Sequence, residues 1–459
     1  MTEVEKIKHD ASWLKSRVSR HVRAMMSLAW PAMVSRIGII SLGFVDTVLV
    51  GRYSTQELAY LNLGSSTLII LVLVMSMGLL IGTLVYVADA YGRKNYKECG
   101  QVLKRSLPYA GSVGLLVILV FIPSKFILSL LGQGPDLAHE GGRIMFILAF
   151  GIVGHLFYIS CAFFLEAIGR AKIAIYVMII ANIFNLFMSY SLINGLWIFP
   201  ELGAEGSALA TTILRLLMGF GLWGYLYFSP SFKKFGLREP VKTHWKDWKD
   251  QRHLGYASSL SLGAELAAFS ALSIFAGLIG ALELAIFGVV LNIMSVPFML
   301  ASGMGVAASV RVAVSKSRND RDDATTAGWT AVGLSSIMVG LGGIFLYYLP
   351  EQIVSFYSDD PYLISGAAAS VAFAAFVLIL DGGQTVLASA LRGLGEKWGP
   401  MYIQSFSYIV VMIPLSYWLS NPMGHGVMGL VEAILYASIV SCVLQGYWFH
   451  KKVALIIEK

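Results

Sequence analysis

Apolar stretches long enough to cross a bilayer recur along the whole chain, separated by short segments that are charged or rich in turn-forming residues. An α-helix rises about 1.5 Å per residue, so about 20 apolar residues span roughly 30 Å of hydrocarbon. We therefore predict an all-α polytopic membrane protein. Its twelve helices are expected near residues 25–50, 58–88, 103–131, 141–169, 172–195, 204–228, 254–278, 284–311, 324–349, 362–391, 397–420 and 427–450.

Composition agrees with this pattern and excludes several classes of protein. The 459 residues are 57% hydrophobic and 13% charged, whereas soluble domains are roughly 45–50% apolar and about 25% charged. The three cysteines are widely spaced, so neither a disulfide framework nor a metal motif is expected. The sequence contains no P-loop and no dinucleotide fingerprint, which argues against an ATP-driven pump and predicts no cofactor.

The basic residues predict the orientation of the helices. The net charge is +7, and 29 of the 34 Lys and Arg residues fall in the two termini or near the ends that follow even-numbered helices. Such an excess marks the cytoplasmic side, so both termini are predicted to be cytoplasmic. The basic segment FKKFGLREPVKTHWKDWKDQRH at 232–253 is predicted to be a linker at the membrane surface, and no nucleic-acid partner is expected.

The two halves of the chain look like copies of one another. GRYSTQELAYL at Gly51 resembles GLIGALELAIF at Gly277, 226 residues later, and Gly169 in EAIGRAK matches Gly395 in LRGLGEK at the same offset. Parallel repeats of this kind are expected to place substrate and ion sites between or inside two lobes. The predicted organisation is a cytoplasmic segment, an N-terminal lobe, a linker, a C-terminal lobe and a tail, at 1–24, 25–228, 229–253, 254–450 and 451–459.

Three acids fall well inside predicted membrane helices, where an ionised carboxylate is costly unless it is paired, hydrated or protonated. Glu265 and Asp381 are expected at similar depth in the same half, about 15 Å from the cytoplasmic helix ends at the helical rise. Two carboxylates in one dehydrated site are expected to share a proton or a cation. Asp46 is predicted nearer the outer face.

Further polar residues lie inside the N-terminal half. His155 corresponds to Asp381 at the 226-residue offset, and helix five contributes Asn182, Asn185 and Ser189. Asn185 and Ser189 are one turn apart, so they face the same way and can bind an ion or a proton carrier. For each intramembrane residue, a hydrogen bond that only joins two helices is the structural alternative.

The chain resembles the multidrug and toxic-compound extrusion (MATE) transporters over nearly its full length. The resemblance rests on LGFVDTVLVGRYSTQELAYLNLG, GRAKIAIYVMIIANIFNLFMSYSLING, GAEGSALATTI, LNIMSVPFMLASGMGVAASVRV and DGGQTVLASALRGLGEKW, in the family's order and spacing. It implies two pseudo-symmetric six-helix lobes around a central cleft, in a bacterial inner membrane. It also implies export of organic cations in exchange for H+ or Na+.

The resemblance also implies roles for individual residues. Glu265 and Asp381 match the coupling acids of the NorM-like branch, and Asp46 matches the helix-one Asp of many members. Asn185 falls where the family often has an ion-site Asn, whereas Ser189 replaces a second Asp of some members. The predicted Na+ sites are Glu265 with Asp381, or Asp46 with Asn185. The polar cavity is predicted to include Asn182, Asn185, Ser189, His155, Asn292 and Gln384.

The predicted function is a secondary antiporter, not an enzyme, that exports amphiphilic drugs and dyes and works as a monomer. One alternative is a flippase for lipids or lipid-linked oligosaccharides, which favours a cationic lumen; of the Lys and Arg residues, only Arg36 and Arg215 lie well inside predicted helices, away from their ends. An integral-membrane lipid-modifying enzyme is the alternative of another class, although no catalytic cluster supports it. The sequence leaves open the coupling ion, the lobe that binds it, and the substrate.

Overall fold

The computed structural model describes residues 11–66, 68–240, 244–357 and 360–456, nearly all of them helical, and these residues include no β-strand. Twelve helical segments follow one another, and two of them are subdivided. Their bounds are α1 Ala11–Tyr53, α2 Thr55–Ser66 with Leu68–Leu79 and Ile81–Gly92, α3 Tyr96–Phe121, α4 Pro135–Ala167, α5 Lys172–Asn194, α6 Gly203–Phe228, α7 Lys249–Ile279, α8 Ala281–Ser317, α9 Arg321–Tyr348, α10 Pro361–Gly393, α11 Gly399–Ser405 with Phe406–Met412 and Ile413–Ser420, and α12 Gly426–Val453.

The described residues contain twelve helical segments long and apolar enough to cross a membrane, as the sequence predicts. The third prediction, to residue 131, is wrong at its end. Helix α3 ends at Phe121, and a separate short helix spans Ser124–Leu130. Pro123 lies at this break. The helix ends there because proline has no N–H for the helical hydrogen bond and restricts the backbone of the residue before it. Two 3₁₀ turns, Pro230–Phe235 and Trp245–Trp248, form part of the linker.

The described residues divide into two compact units. One consists of Val34–Ser259, and the other combines the residues up to Met33 with those from Leu260 onwards. We call them the middle unit and the terminal unit. Helices α1 and α7 each contribute to both. The lobe boundaries expected from the sequence stay predictions.

Helices α4 and α6 of the middle unit pack backbone to backbone through glycine. A Cβ atom on Gly219 would lie 2.1 Å from the carbonyl oxygen of Gly154, and one on Gly154 would lie 2.4 Å from the carbonyl oxygen of Arg215. Small residues permit such close approach between membrane helices. This contact brings the Arg215 backbone against the turn of α4 that precedes His155.

The two units repeat the same local structure at positions 226 residues apart. Gly169 and Gly395 both adopt left-handed backbone, with φ of 74° and 77°, and their N–H groups donate to the carbonyls of Glu166 and Arg392. Glycine is favoured there because a Cβ atom penalises this conformation. The match noticed in the sequence therefore corresponds to one shared turn, which ends α4 in one unit and α10 in the other.

The offset changes towards the end of each repeat. The middle piece of α11, Phe406–Met412, is a π-helix, whose wider turn contains one more residue than an α-helical turn. Beyond it the offset is therefore 227, and buried Ser189 of α5 corresponds to buried Ser416 of α11. Helices α6 and α12 match at 223 instead. In the middle unit, Gly219 of α6 lies close to the carbonyl of Gly154 on α4. At the matching place in the terminal unit, Cys442 of α12 donates from Sγ to the carbonyl of Leu380 on α10, at 3.1 Å.

Candidate functional site

Asp46 is the centre of a buried polar cluster in the middle unit. Its Oδ1 accepts hydrogen bonds from Asn185 Nδ2 at 2.9 Å and Ser189 Oγ at 3.0 Å, and its Oδ2 accepts one from the Thr211 hydroxyl. All four side chains are at most 7% exposed. Asp46 lies on α1 about two turns before that helix ends at Tyr53. Neutral donors from α5 and α6 thus satisfy its carboxylate, which is how a buried charge avoids most of its cost.

The Thr211 hydroxyl has two acceptors within reach and only one proton to donate. Besides Asp46, its oxygen lies 3.2 Å from the amide oxygen of Asn185. If Asp46 is ionised, one of these two contacts lacks a hydrogen. If Asp46 carries a proton, its hydroxyl donates to Thr211 and Thr211 donates to Asn185, so every contact has one donor and one acceptor. The cluster can therefore accommodate one added proton without rearrangement.

Asp381 is the centre of a second polar cluster, in the terminal unit. Its Oδ1 accepts from Gln384 Nε2 at 2.9 Å and from Ser438 Oγ at 3.3 Å. The same Gln384 amide also donates to the Tyr408 hydroxyl, and its carbonyl oxygen accepts from Ser441 at 2.6 Å. Helices α10, α11 and α12 thus fix the Asp381 carboxylate through a chain of neutral groups.

Glu265 adds a second acid and Arg392 a buried base to this cluster. Both Asp381 and Arg392 lie within electrostatic range of Glu265. None of the residues in the described ranges donates a hydrogen bond to Glu265. The Arg392 guanidinium instead donates to Gln404 at 3.0 Å and to Ser261 at 3.4 Å. Glu265 therefore has free coordination positions, and so does Asp381, whose two hydrogen bonds from the described residues both fall on Oδ1.

A third polar group surrounds a small cavity in the middle unit, with room for about one water-sized particle. Here His155 is 4% exposed. Within the described part of the chain, neither its Nε2 nor Nη1 of Arg215 has a hydrogen-bond partner, although both atoms are buried. The lining residues are Ile39, Leu42, His155, Tyr158, Met178, Arg215 and Met218.

The walls of this cavity correspond to the Glu265–Asp381 cluster of the other unit. The offset is 226 for α1, α4 and α5, and 223 for α6. The pairs are Ile39 with Glu265, Tyr158 with Gln384, Met178 with Gln404, His155 with Asp381, and Arg215 with Ser438. The same place in the repeat is thus acidic in the terminal unit and basic in the middle unit.

Not every predicted polar residue joins a cluster. Asn182 donates to the carbonyls of Gly38 and Met178, so its amide nitrogen joins α5 to α1 without touching Asp46. Asn292 is exposed and accepts a hydrogen bond from Tyr357 at 2.9 Å. Their proposed contacts to substrate stay predictions.

Several members of these clusters were not among the predicted site residues, including Thr211, Tyr408 and Arg392. A threonine or tyrosine in an apolar helix gives no signal of its own. The predicted tenth helix ends at residue 391 and so leaves out Arg392, but α10 extends to Gly393 and buries the Arg392 side chain to 8% exposure. The 226-residue offset offered a signal, because it pairs Arg392 with the acid Glu166.

Arg36 and Glu166 are two further buried charged residues of the middle unit. A basic side chain in a membrane helix usually extends to the membrane surface, yet Arg36 is 8% exposed. Its guanidinium lies 5.7 Å from the Phe163 ring and donates to the sulfur of Met77. Glu166 is 4% exposed, not interfacial, and lies within electrostatic range of Arg36. A cation–π contact and a nearby acid therefore replace the water that a surface position would supply.

Comparisons with known proteins agree with the repeat. The sequence model of the MatE family matches residues 31–191 and again 258–418. "Multidrug resistance protein NorM" of Burkholderia vietnamiensis is 31% identical over 96% of this chain and 96% of its own length. "Probable multidrug resistance protein NorM" of Caulobacter vibrioides is 30% identical over 91% of this chain and 88% of its own length. Both relatives are named for resistance, not for an enzymatic reaction.

Solved structures show the same fold. The eukaryotic MATE transporter AtDTX14 has a TM-score of 0.86 at 20% identity, covering 95% of this chain and 98% of its own. An outward-facing multidrug resistance MATE transporter of the MOP superfamily has a TM-score of 0.87 at 18% identity, covering 95% and 96%. With two family matches and these relatives along nearly its whole length, this multi-pass membrane protein belongs to the MatE family.

Proposed function

We propose that this protein is a secondary antiporter that exports amphiphilic organic cations in exchange for inward H+ or Na+ by alternating access. The observation on which the proposal depends is the burial of Asp46 and Asp381 among neutral donors, with Glu265 beside Asp381. A buried carboxylate changes its energetic cost when it binds a proton or a cation. A gradient of that ion can therefore bias the equilibrium between two conformations.

The Asp46 cluster favours a proton over Na+. Among the residues that the structure describes, Asp46 is the only acid of this cluster, and Ser189 occupies the position where some family members have a second Asp. Arg215 lies within electrostatic range of Asp46, which disfavours a second cation there. The arrangement of Thr211 between two acceptors also suits one added proton. For Glu265 and Asp381, two acids near one another suit either ion, and the proposal keeps both.

The relatives' names supply the substrate class. They are named for multidrug resistance, and from those names we infer that this chain transports amphiphilic cations. We further propose that the protein resides in a bacterial inner membrane as a monomer, with both termini cytoplasmic. A reporter active only in the cytoplasm, fused after Lys459, is expected to be active, whereas a periplasmic reporter there is expected to be silent.

The decisive experiment is ethidium transport by purified protein in liposomes, under a pH gradient and a Na+ gradient imposed separately. The variants are Asp46→Asn, Glu265→Gln and Asp381→Asn. We expect ethidium movement under at least one gradient, with loss of coupling in one or more of the variants. Wild-type protein that responds to neither gradient would refute the antiporter and favour the lipid flippase. Full coupling in all three variants would refute the assigned sites.

A further inference from the structure

Two residues that line the basic cavity of the middle unit each have a buried polar atom for which the described residues provide no partner. These are Nε2 of His155, on α4, and Nη1 of Arg215, on α6. A buried donor without an acceptor destabilises the folded protein, and more so when it is charged. A bound water or ion that accepts hydrogen bonds would satisfy both atoms.

The surrounding protein groups are already engaged. The two Asp46 oxygens accept hydrogen bonds from Asn185, Ser189 and Thr211. Asp46 interacts with Arg215 electrostatically, without a hydrogen bond between them. Among the lining residues, Tyr158 donates to the carbonyl of Ala174 and also contacts Ser35. Apart from Tyr158, His155 and Arg215, the lining residues are apolar. Neither orphan atom therefore finds its acceptor in the wall of the cavity.

The charges that face the cavity select the sign of its occupant. Arg215 and Arg36 both lie within electrostatic range of His155. The acids nearby are Asp46, in range of Arg215, and Glu166, in range of Arg36. Both acids lie outside the cavity lining, whereas the guanidinium and the imidazole form part of it. A cation would meet only donors there, but an anion would accept from both.

We propose that this cavity, lined by α1, α4, α5 and α6, binds one small monovalent inorganic anion of chloride size, held by Arg215 and His155. The guanidinium supplies a charge-assisted hydrogen bond, and the imidazole donates from Nε2 in the tautomer that bears a proton there. The cavity admits about one water-sized particle, so polyatomic organic anions do not fit. The inference goes beyond the proposed antiport, because anion binding can be measured without any transport.

Asp46 provides a signature that a merely structural role of Arg215 would not give. While it is ionised, Asp46 partly neutralises Arg215 and competes electrostatically with the anion. Asp46→Asn removes that charge and keeps the shape of the side chain. The anion should then bind more tightly, whereas damage to the fold would weaken it.

The test measures ³⁵Cl line width by NMR on the full-length purified protein in detergent, with Na+ held constant and gluconate as the replacing anion. Wild-type protein should broaden the chloride line, and bromide but not gluconate should reverse the broadening. Arg215→Met should lower chloride affinity by about tenfold or more, since it removes a charged donor. The matched control is Arg143→Met, an exposed arginine of the same unit, which should leave the affinity unchanged.

Three results would overturn the proposal. Absence of bromide-sensitive broadening with wild-type protein would mean that the cavity holds a buried water only. Equal broadening by wild type and Arg215→Met would place the chloride elsewhere. Weaker binding by Asp46→Asn would contradict the electrostatic argument, and this readout stays available if Arg215→Met does not fold. Loss of antiport with intact chloride binding would refute the proposed function alone.

Discussion

Ser189 Oγ donates to the same Asp46 oxygen as Asn185 Nδ2, at 3.0 Å and 2.9 Å, so two residues one helical turn apart converge on one carboxylate. Residue 189 therefore determines how many acids the cluster contains. We predict that Ser189→Asp makes transport respond to a Na+ gradient, because two adjacent carboxylates need a shared cation or proton. Ethidium transport in liposomes with only a Na+ gradient measures this.

The matched control for that change is Ser189→Asn, which has the size of Asp without its charge. It should show no gain in Na+ dependence. An equal gain in both variants would mean that packing, not charge, controls the ion. An unchanged ion dependence in Ser189→Asp would exclude the cluster as a determinant of coupling.

Gln384 should act as a positioning residue for Asp381. It donates to Asp381 at 2.9 Å and accepts from Ser441 at 2.6 Å, so its amide joins α10 to α12. Gln384→Leu leaves Asp381 with Ser438 and removes a hydrogen bond to a charged group, worth about 1.5–3 kcal/mol. We predict that gradient-driven ethidium transport falls about tenfold or more.

The control for Gln384 is Gln352→Leu, an exposed position of the same unit. It should transport at the wild-type rate. Measuring the dependence of transport on pH in both variants separates positioning from misfolding. A positioning role changes the pH profile, whereas a smaller amount of folded protein lowers the rate equally at every pH.

The contact between α4 and α6 predicts a strong effect on stability from a single methyl group. A Cβ atom on Gly219 would lie 2.1 Å from the Gly154 carbonyl oxygen, so Gly219→Ala must push the helices apart. Overpacking of this kind costs about 1–3 kcal/mol. We predict a lower midpoint of thermal unfolding in detergent. Gly221→Ala is the control, because its Cβ atom would meet no atom within 4 Å, and an equal Tm for the two variants would contradict the close packing.

His21 and Asp323 form a buried pair in the terminal unit, with Nε2 and Oδ1 3.0 Å apart although 302 residues separate them. Ser315 also donates to Asp323 at 2.6 Å. Asp323→Ala should destabilise the protein by about 3 kcal/mol or more, since removing one partner leaves buried polar groups unmatched. Thermal unfolding of this variant, beside that of the neighbouring Asp322→Ala, measures the difference; equal stability would show that the pair contributes little.

Much of the architecture follows from the hydrophobic pattern alone. Twelve apolar stretches of membrane length leave few alternatives to twelve helices, and Asn185 with Ser189 could be placed on one face because the helical period fixes their relation. The repeat also gave the shared turn at Gly169 and Gly395. These are local or periodic properties, and a sequence expresses them directly.

The composition of the clusters could not be read in the same way. Thr211 joins Asp46 because of how α6 is rotated about its own axis, and rotation depends on packing against α4 through glycines such as Gly219. Arg392 is buried because α10 continues beyond the point where hydropathy stops indicating membrane. Both depend on contacts between distant parts of the chain, which a hydropathy pattern does not encode.

The π-helix at Phe406–Met412 bears on how the two halves diverged. Inserting one residue into an α-helix rotates everything beyond it by about 100°, which would turn a buried face towards lipid. A single wide turn absorbs that residue, so Ser416 remains buried as its counterpart Ser189 does. A duplicated gene can therefore tolerate a length mutation inside a membrane segment. Such tolerance leaves each half free to change the charge at one matched place of its interior, acidic around Asp381 and basic around His155, without losing the common scaffold.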